Sequence, residues 1–398
     1  MRTLYQNAKL VLPSGIQTGC LLCEGETILE VSPQAQLPNN AAEHVVDVQG
    51  EYLAPGFIDV HVHGGGGADF MDCTDEAVDQ ILRLHRAHGT TALMPTLLSS
   101  AQETMMNAIR FYQQRDDVKE GMPTLLGMHI EGPYFDADMR GAQDVRYLRD
   151  PLPQEYLPVL ANPQKIVRWS FAPELQGGDA FLQALQRNGI ITSAAHTNAT
   201  CAQIAHAYDL GLAALTHFYS GMSSIRRIQA YRVAGVVEAG YLLDGLSLEV
   251  IADGCHLPRE LLQLITKVKS PDKVILVTDA MRAAGMPPGE HRLGDQQTGQ
   301  VVIVEDGVAK LPDRSSFAGS VATMDRLVRT MRTHTDVPLH QIVHMASLNP
   351  ARLIRQENRK GSLAPGKDAD MVIFDEDINI KQVVIRGQLV QDASFSIG

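Results

Sequence analysis

The chain has 398 residues, of which 44% are hydrophobic and 20% are charged, and its formal net charge is −12. This acidity argues against a nucleic-acid-binding or membrane-surface protein, because either would present a basic patch. No apolar run approaches the roughly 20 residues of a membrane span. The length exceeds one ordinary compact core and fits a barrel with a small added domain.

The five cysteines lie at positions 20, 23, 73, 201 and 255. An odd, scattered set suits reduced thiols, and the N-terminus shows no apolar signal region, so we expect a cytoplasmic protein. Cys20 and Cys23 have metal or redox spacing, but no second pair accompanies them. Packing within a strand is therefore the favoured interpretation.

The predicted elements begin with short β-like runs and turns across residues 1–53. Residues 356–398 show the same pattern of short β-like runs and turns. Arg386-Gly387 lies between two apolar runs and predicts a hairpin. We therefore expect both ends of the chain to form one small β-sandwich domain.

Residues 54–355 instead alternate short apolar runs with helix-like segments, the pattern of βα units around a parallel sheet. The first run reaches back to Tyr52, and eight runs can be counted: YLAPGFIDVHVH, TALMPTLL, TLLGMHIEGP, IVRWSFAPE, IITSAAHTN, LAALTHFYS, SLEVIADGCH and KVILVTDAM. Eight parallel strands with intervening helices form a closed barrel. The predicted fold class is α/β, with a TIM-like (β/α)₈ barrel as the main domain.

The first run ends in His61 and His63, followed by four glycines. Residues i and i+2 of a strand share a face, so the two imidazoles point at one place. Polar residues also end the later runs: Glu131, Glu174, His196, His217, Asp253, His256 and Asp279. Barrel catalytic groups come from these strand ends, and His, Glu and Asp are metal ligands, so we predict a metal site there. His129 fits a supporting role as well as ligation, and the remaining histidines are assigned to no site.

These motifs, in this order, resemble the amidohydrolase superfamily. The matching segments are PGFIDVHVHGGGG, GMHIEGPYF, SAAHTNAT, LTHFYSGM, IADGCHL and LVTDAM, with HMASLNPARLI and GSLAPGKDADMVIFD near the C-terminus. Within the superfamily, the chain is most similar to the N-acetylglucosamine-6-phosphate and N-acetylgalactosamine-6-phosphate deacetylases. The similarity runs nearly end to end.

The resemblance implies a divalent metal centre with one or two ions. One position consists of Glu131, His196 and His217, and the other of His61 and His63 with Glu131 bridging and Asp279 nearby. Zinc suits these ligands, and iron or manganese also fits. In the implied reaction, an activated water attacks the acetyl carbonyl while Asp279 takes its proton and passes it to the leaving amine.

The resemblance also implies substrate contacts, at Ala142, Gln143, Ser220, Gly221, Arg227, Arg232, His256, Ala318, Gly319 and Ser320. Gln143 stands where the family usually has histidine, and Ser220 where it has asparagine. The family's phosphate-binding arginine comes from a neighbouring subunit, so we expect a homodimer with shared sites. Here Arg226, Arg227 and Arg232 are the candidates, in a stretch of altered spacing that could equally be a solvated helix face.

The leading prediction is metal-dependent hydrolysis of the acetamide of an N-acetyl amino sugar 6-phosphate. An alternative is an amidohydrolase for another N-acylated or cyclic amide, without a phosphate requirement. Lys165 lies at the start of the fourth run, which disfavours the members that carry a carboxylated lysine at that strand. A third hypothesis, a non-catalytic metal-binding or sugar-sensing protein, is disfavoured by the intact ligand set.

Overall fold

The computed structural model describes residues 1–296 and 298–390. The first five strands are β1 (Arg2–Leu12), β2 (Gly15–Glu24), β3 (Thr27–Pro33), β4 (His44–Asp47) and β5 (Tyr52–Pro55). The middle of the chain begins with β6 (Phe57–Val62), β7 (Gly64–Gly65), β8 (Ala68–Asp69), α1 (Asp75–Ala87), β9 (Thr90–Leu97), α2 (Gln102–Gln114), β10 (Thr124–Leu125), β11 (Met128–Glu131), α3 (Pro153–Leu160), β12 (Ile166–Phe171), α4 (Gly178–Arg187), β13 (Ile191–Ala194), α5 (Cys201–Asp209) and β14 (Ala214–Leu215).

The remaining elements complete the middle and return to strands at the end. The middle continues with β15 (Arg226–Ile228), β16 (Tyr231–Val233), α6 (Val236–Leu242), β17 (Ser247–Val250), α7 (Arg259–Val268), β18 (Val274–Leu276), β19 (Gly289–Leu293), β20 (Gln300–Glu305), β21 (Val308–Lys310), α8 (Met324–His334), α9 (Leu339–Met345) and α10 (Leu348–Leu353). The last strands are β22 (Met371–Phe374), β23 (Ile380–Ile385) and β24 (Gln388–Val390).

Eight parallel strands form the predicted (β/α)₈ barrel, which the structure confirms. They pair in the order β6, β9, β11, β12, β13, β14, β17 and β18, with the short β10 also on β9. Backbone hydrogen bonds then join the last strand to the first: the Asp279 amide donates to the His61 carbonyl, and the His63 amide to the Ala280 carbonyl, both over 2.9 Å. The strand ends that carry the predicted ligands therefore meet around one mouth.

The barrel strands are buried on both faces, as parallel strands covered by helices should be. The helices outside them are amphipathic. Helix α1, for example, begins where the Thr74 side chain accepts a hydrogen bond from the Ala77 amide, and it buries Val78, Ile81 and Leu82. Hydrophobic periodicity therefore places this helix against the sheet.

A separate β domain is built from both ends of the chain, as expected. Its sheet has the order β24-β23-β22-β5-β1-β2-β3, with β4 paired to β1. One set of its side chains, including Leu10 and Met371, forms a core of its own, while Tyr52 and Phe374 pack with the barrel core. The predicted hairpin at Arg386-Gly387 is present between β23 and β24. The domain limits stay a prediction, and residues 391–398 lie outside the described residues.

Two antiparallel additions interrupt the βα alternation, and neither was predicted. Strands β15 and β16 form a hairpin, and β19, β20 and β21 form a three-stranded sheet after β18. Cys20 and Cys23 lie in β2 but belong to different hydrophobic clusters, so they do not act as a pair. Within residues 1–296 and 298–390, no helix is long and apolar enough to cross a membrane.

Candidate metal centre

The structure brings all six predicted metal ligands together at the C-terminal end of the barrel. Each comes from the end of a strand or from the residues just after it: His61, His63, Glu131, His196, His217 and Asp279. They form two groups, in each of which the candidate ligand atoms lie within 4.8 Å of one another. One group is His61, His63 and Asp279, and the other is Glu131, His196 and His217.

Glu131 lies between the two groups. Its Oε1 is 3.0 Å from Nε2 of His217 and 3.3 Å from Nε2 of His196, and its Oε2 is 3.3 Å from Nε2 of His63. Asp279 Oδ1 is 3.1 Å from the same His63 nitrogen and 3.3 Å from Nε2 of His61. This geometry allows one carboxylate to bridge two neighbouring cations.

All four histidines are held by their other ring nitrogen. The Nδ1 partners are Glu249 Oε2 for His61 (3.2 Å), the Thr96 carbonyl for His63 (3.2 Å), the Met139 carbonyl for His196 (2.9 Å) and the Ser220 carbonyl for His217 (3.2 Å). Because these partners only accept, each Nδ1 carries the proton and donates it. The four Nε2 atoms converge beside the two carboxylates, where a protonated Nε2 donates a hydrogen bond to Glu131 or Asp279. A metal ion binds the deprotonated nitrogen, and four such nitrogens with two carboxylates are a donor set that fits divalent metal ions.

The backbone at the site is strained. His196, His217 and Asp279 have φ values of +45°, +34° and +48°, in the left-handed region that L-residues seldom adopt. Gly221 (φ +59°) lies so close to His196 that a Cβ would come within 2.7 Å of its Nδ1. Strain of this kind clusters at functional sites, where the surrounding structure holds it in place.

The pKa values of both carboxylates are lowered, which favours their ionised forms. Burial by itself would raise the pKa of Glu131, but hydrogen bonds from His196 and His217, together with those from His61 and His63, hold that pKa well below its usual range. Burial would likewise raise the pKa of Asp279, and the charge of His61 with the hydrogen bond from His63 lowers it instead. The site therefore offers two negative charges to a cation.

A cavity of about 460 Å³ opens onto these ligands. Six of the ten predicted substrate contacts line it: Ala142, Gln143, Ser220, Gly221, His256 and Gly319. The Gln143 amide donates to Oε2 of Glu131 over 3.0 Å. His256 donates from Nδ1 to Asp253 over 2.8 Å, which leaves its Nε2 free for a ligand.

The other four predicted contacts lie elsewhere. Ala318 is buried in a hydrophobic cluster, and the Ser320 hydroxyl donates to the Thr278 carbonyl beneath Asp279 over 2.6 Å. Arg227 and Arg232 oppose each other in the exposed β15–β16 hairpin, and neither is among the described residues that line the cavity. The stretch is therefore a hairpin and not a helix face.

Several polar residues support the ligands from outside the cation positions. Glu174 accepts hydrogen bonds from Thr197 and the Asn198 amide, which fixes the turn after His196. His129 bonds through Nε2 to Ser170 Oγ over 2.7 Å.

Lys165 pairs with Asp117 over 2.9 Å and does not line the cavity.

Several residues that line the cavity were not predicted, because they belong to the added three-stranded sheet and the loop after it. They are Leu293, Lys310, Arg314, Ser315, Ser316 and Phe317. Arg168 and Glu249, which are fully buried inside the barrel, were not predicted either. A charged residue within each of the apolar runs IVRWSFAPE and SLEVIADGCH was the available signal.

Comparisons with known proteins find similar sequences over most of the chain. The profile of the amidohydrolase family matches residues 52–390. An N-acetylglucosamine-6-phosphate deacetylase from Lysinibacillus sphaericus is 36% identical over 85% of this chain and 86% of its own length. An N-acetylgalactosamine-6-phosphate deacetylase from Escherichia coli O157:H7 is 34% identical over 88% and 90%.

A solved structure is also similar to this chain over nearly its whole length. It is a mutant of the Mycobacterium smegmatis N-acetyl-D-glucosamine-6-phosphate deacetylase in complex with N-acetyl-D-glucosamine-6-phosphate. It superposes with a TM-score of 0.89 at 30% identity, and the match covers 98% of this chain and 100% of that one.

Proposed function

The chain belongs to the amidohydrolase family, and we propose that it hydrolyses the acetamide of an N-acetyl amino sugar 6-phosphate, giving the amino sugar 6-phosphate and acetate. It is a hydrolase of carbon–nitrogen bonds. The observation that carries the proposal is the pair of adjacent ligand groups, His61, His63 and Asp279 beside Glu131, His196 and His217, which face one open cavity.

The six ligands would hold one or two divalent ions, with zinc the expected metal. Glu131, His196 and His217 would bind one ion, and His61, His63 and Asp279 the other. A bound ion supplies Lewis-acid chemistry, which activates water at neutral pH and stabilises charge on an acyl oxygen.

The chain's own side chains move the proton and bind the sugar. The carboxylate of Asp279, whose pKa is lowered, accepts a proton from the attacking water. It then donates that proton to the nitrogen of the sugar, because an unprotonated amine is a very poor leaving group. Gln143 and His256 line the cavity with a free N–H and a free ring nitrogen, positions suited to substrate oxygens and hydroxyls.

The phosphate end of the substrate would meet cations. Lys310 and Arg314 line the cavity, although Glu305 and Asp306 neutralise part of their charge. Arg227 and Arg232 are exposed in the hairpin, which suits a contribution to the site of a second subunit in a homodimer. The five free cysteines support a reducing, cytoplasmic location.

Acetate release tests the proposal. We expect turnover of N-acetylglucosamine 6-phosphate or N-acetylgalactosamine 6-phosphate to exceed that of the two free sugars, and to disappear after chelation. A metal-loaded protein without activity on any of the four sugars would contradict it.

A second candidate is hydrolysis of another N-acyl substrate that lacks phosphate. The acidic partners of Lys310 and Arg314 favour it, as does Gln143 in place of the family's histidine. Equal rates on phosphorylated and free sugars would support this candidate.

A further inference from the structure

A buried ion pair lies inside the barrel below the metal ligands. Glu249 in β17 and Arg168 in β12 are both fully buried, and Nη1 of Arg168 donates to Oε1 of Glu249. Arg168 also donates from Nε to Ser193 Oγ and from Nη2 to Thr216 Oγ1, both over 2.8 Å. A buried pair of this kind is often no more stabilising than apolar residues of the same volume, so stability alone does not explain it.

The second oxygen of Glu249 faces the candidate metal centre. Oε2 accepts a hydrogen bond from Nδ1 of His61 over 3.2 Å and from the backbone amide of His217 over 3.3 Å. Nε2 of His61 in turn lies 3.3 Å from Oδ1 of Asp279. A continuous chain of contacts therefore runs from Arg168 through Glu249 and His61 to one cation position.

His61 differs in this respect from the other three histidines of the site. His63, His196 and His217 each donate from Nδ1 to a backbone carbonyl, whereas His61 donates to a charged carboxylate. A carboxylate partner makes the imidazole a more basic ligand and fixes its orientation more strongly than a carbonyl does. The strengthened ligand belongs to the His61, His63 and Asp279 group, not to the group that contains His196 and His217.

We propose that Glu249, held in place by Arg168, is a positioning residue that makes the His61, His63 and Asp279 group a full second metal position. This inference rests on the proposed metal-dependent function. The Arg168–Glu249 pair raises the affinity for the second ion and has little effect on the affinity for the ion at Glu131, His196 and His217.

The test is a metal-binding measurement on Glu249→Gln/Arg168→Met. This double variant removes both charges and leaves an amide oxygen to accept from Nδ1 of His61 and from the backbone amide of His217. The His217 contact is therefore kept, and no lone charge remains in the core. The control is Lys360→Met/Asp370→Asn, which removes a buried ion pair in the segment that leads into the β domain, among residues that do not line the cavity. Ions per chain are measured by elemental analysis, and the two affinities by Co²⁺ titration against a chromophoric chelator.

We expect wild type and the control to bind two ions, and the double variant to bind the second about 10- to 100-fold more weakly with the first unchanged. The Co²⁺ absorption of the second ion should change in the double variant. The inference is overturned if the double variant binds both ions with wild-type affinity, or if wild type binds fewer than two. If the double variant binds both ions normally, only the inference fails and the proposed function is unaffected. If the wild type binds no ion, the proposed metal-dependent function is contradicted as well.

Discussion

The side-chain amide of Gln143 donates a hydrogen bond to Oε2 of Glu131, the carboxylate that all four site histidines approach. Gln143 therefore touches the metal centre and lines the cavity at the same time. Its neutral N–H can serve Glu131 before substrate binds and a substrate oxygen afterwards.

Gln143→Ala removes this donor, and we expect kcat/KM to fall by about 10-fold, in line with the loss of one hydrogen bond to a charged group. Gln143→His keeps an N–H donor and should retain wild-type activity or exceed it. Steady-state kinetics on the 6-phosphate substrate, with metal content measured in parallel, checks both. A Gln143→Ala variant with unchanged kcat/KM would show that the contact has no role in turnover.

Asp279→Asn should lower kcat by roughly 10²-fold or more, because an amide cannot take a proton from the attacking water. Elemental analysis must show that the ion at Glu131, His196 and His217 is retained. Near wild-type turnover with metal bound would refute the proton-transfer role of Asp279.

Glu131→Ala and His196→Ala should lose most of the bound metal, because each removes a ligand of the first position. Chelation of wild type should abolish activity, and Zn²⁺ should restore it. His206→Ala is the matched control, since His206 is exposed and pairs with Asp179. Full activity in a metal-free preparation would end the metal-dependent mechanism.

Arg227→Gln and Arg232→Gln test the shared site. If one of these arginines reaches the phosphate, its loss should chiefly raise KM and lower kcat/KM about 10- to 150-fold, the value of a charge-assisted bond. Mixed dimers of an Asp279→Asn subunit and the affected arginine variant should regain activity, because one of their two sites is intact. The exposed Arg187→Gln is the control. If only Lys310→Met and Arg314→Gln raise KM, the phosphate is bound within one subunit.

His85 should make a contribution to stability that is lost in mild acid. Burial lowers its pKa from 6.5 to about 4 while Nε2 donates to the Gly64 carbonyl over 2.9 Å. Between these values the unfolded chain carries a proton on His85 that the folded chain does not, so the His85 contribution to the free energy of unfolding falls by about 3 kcal/mol from pH 6.5 to 4. His85→Gln keeps the donor without the titration, so chemical denaturation across this range should show a shallower loss. Parallel pH profiles would contradict the assignment.

The strand-end residues were predictable because a parallel barrel places every strand end at one mouth, so sequence order alone located His61, Glu131 and Asp279 together. The role of Glu249 was not predictable. An apolar run in the sequence indicates that its side chains are buried, but it does not indicate which residue a buried side chain contacts. Lys310 and Arg314 escaped notice for a different reason. They belong to an added antiparallel sheet and the loop after it, whose position over the cavity depends on tertiary packing rather than on periodicity.

His61 and Asp279 stand at the seam where the first and last barrel strands join, since the Asp279 amide donates to the His61 carbonyl. During synthesis β6 leaves the ribosome long before β18, so the His61, His63 and Asp279 position does not exist on the growing chain until the ring has closed. Binding of an ion at that position would consequently be a late event in maturation. An ion bound there would link the first and last strands of the barrel, and a barrel without that ion would open most easily between them.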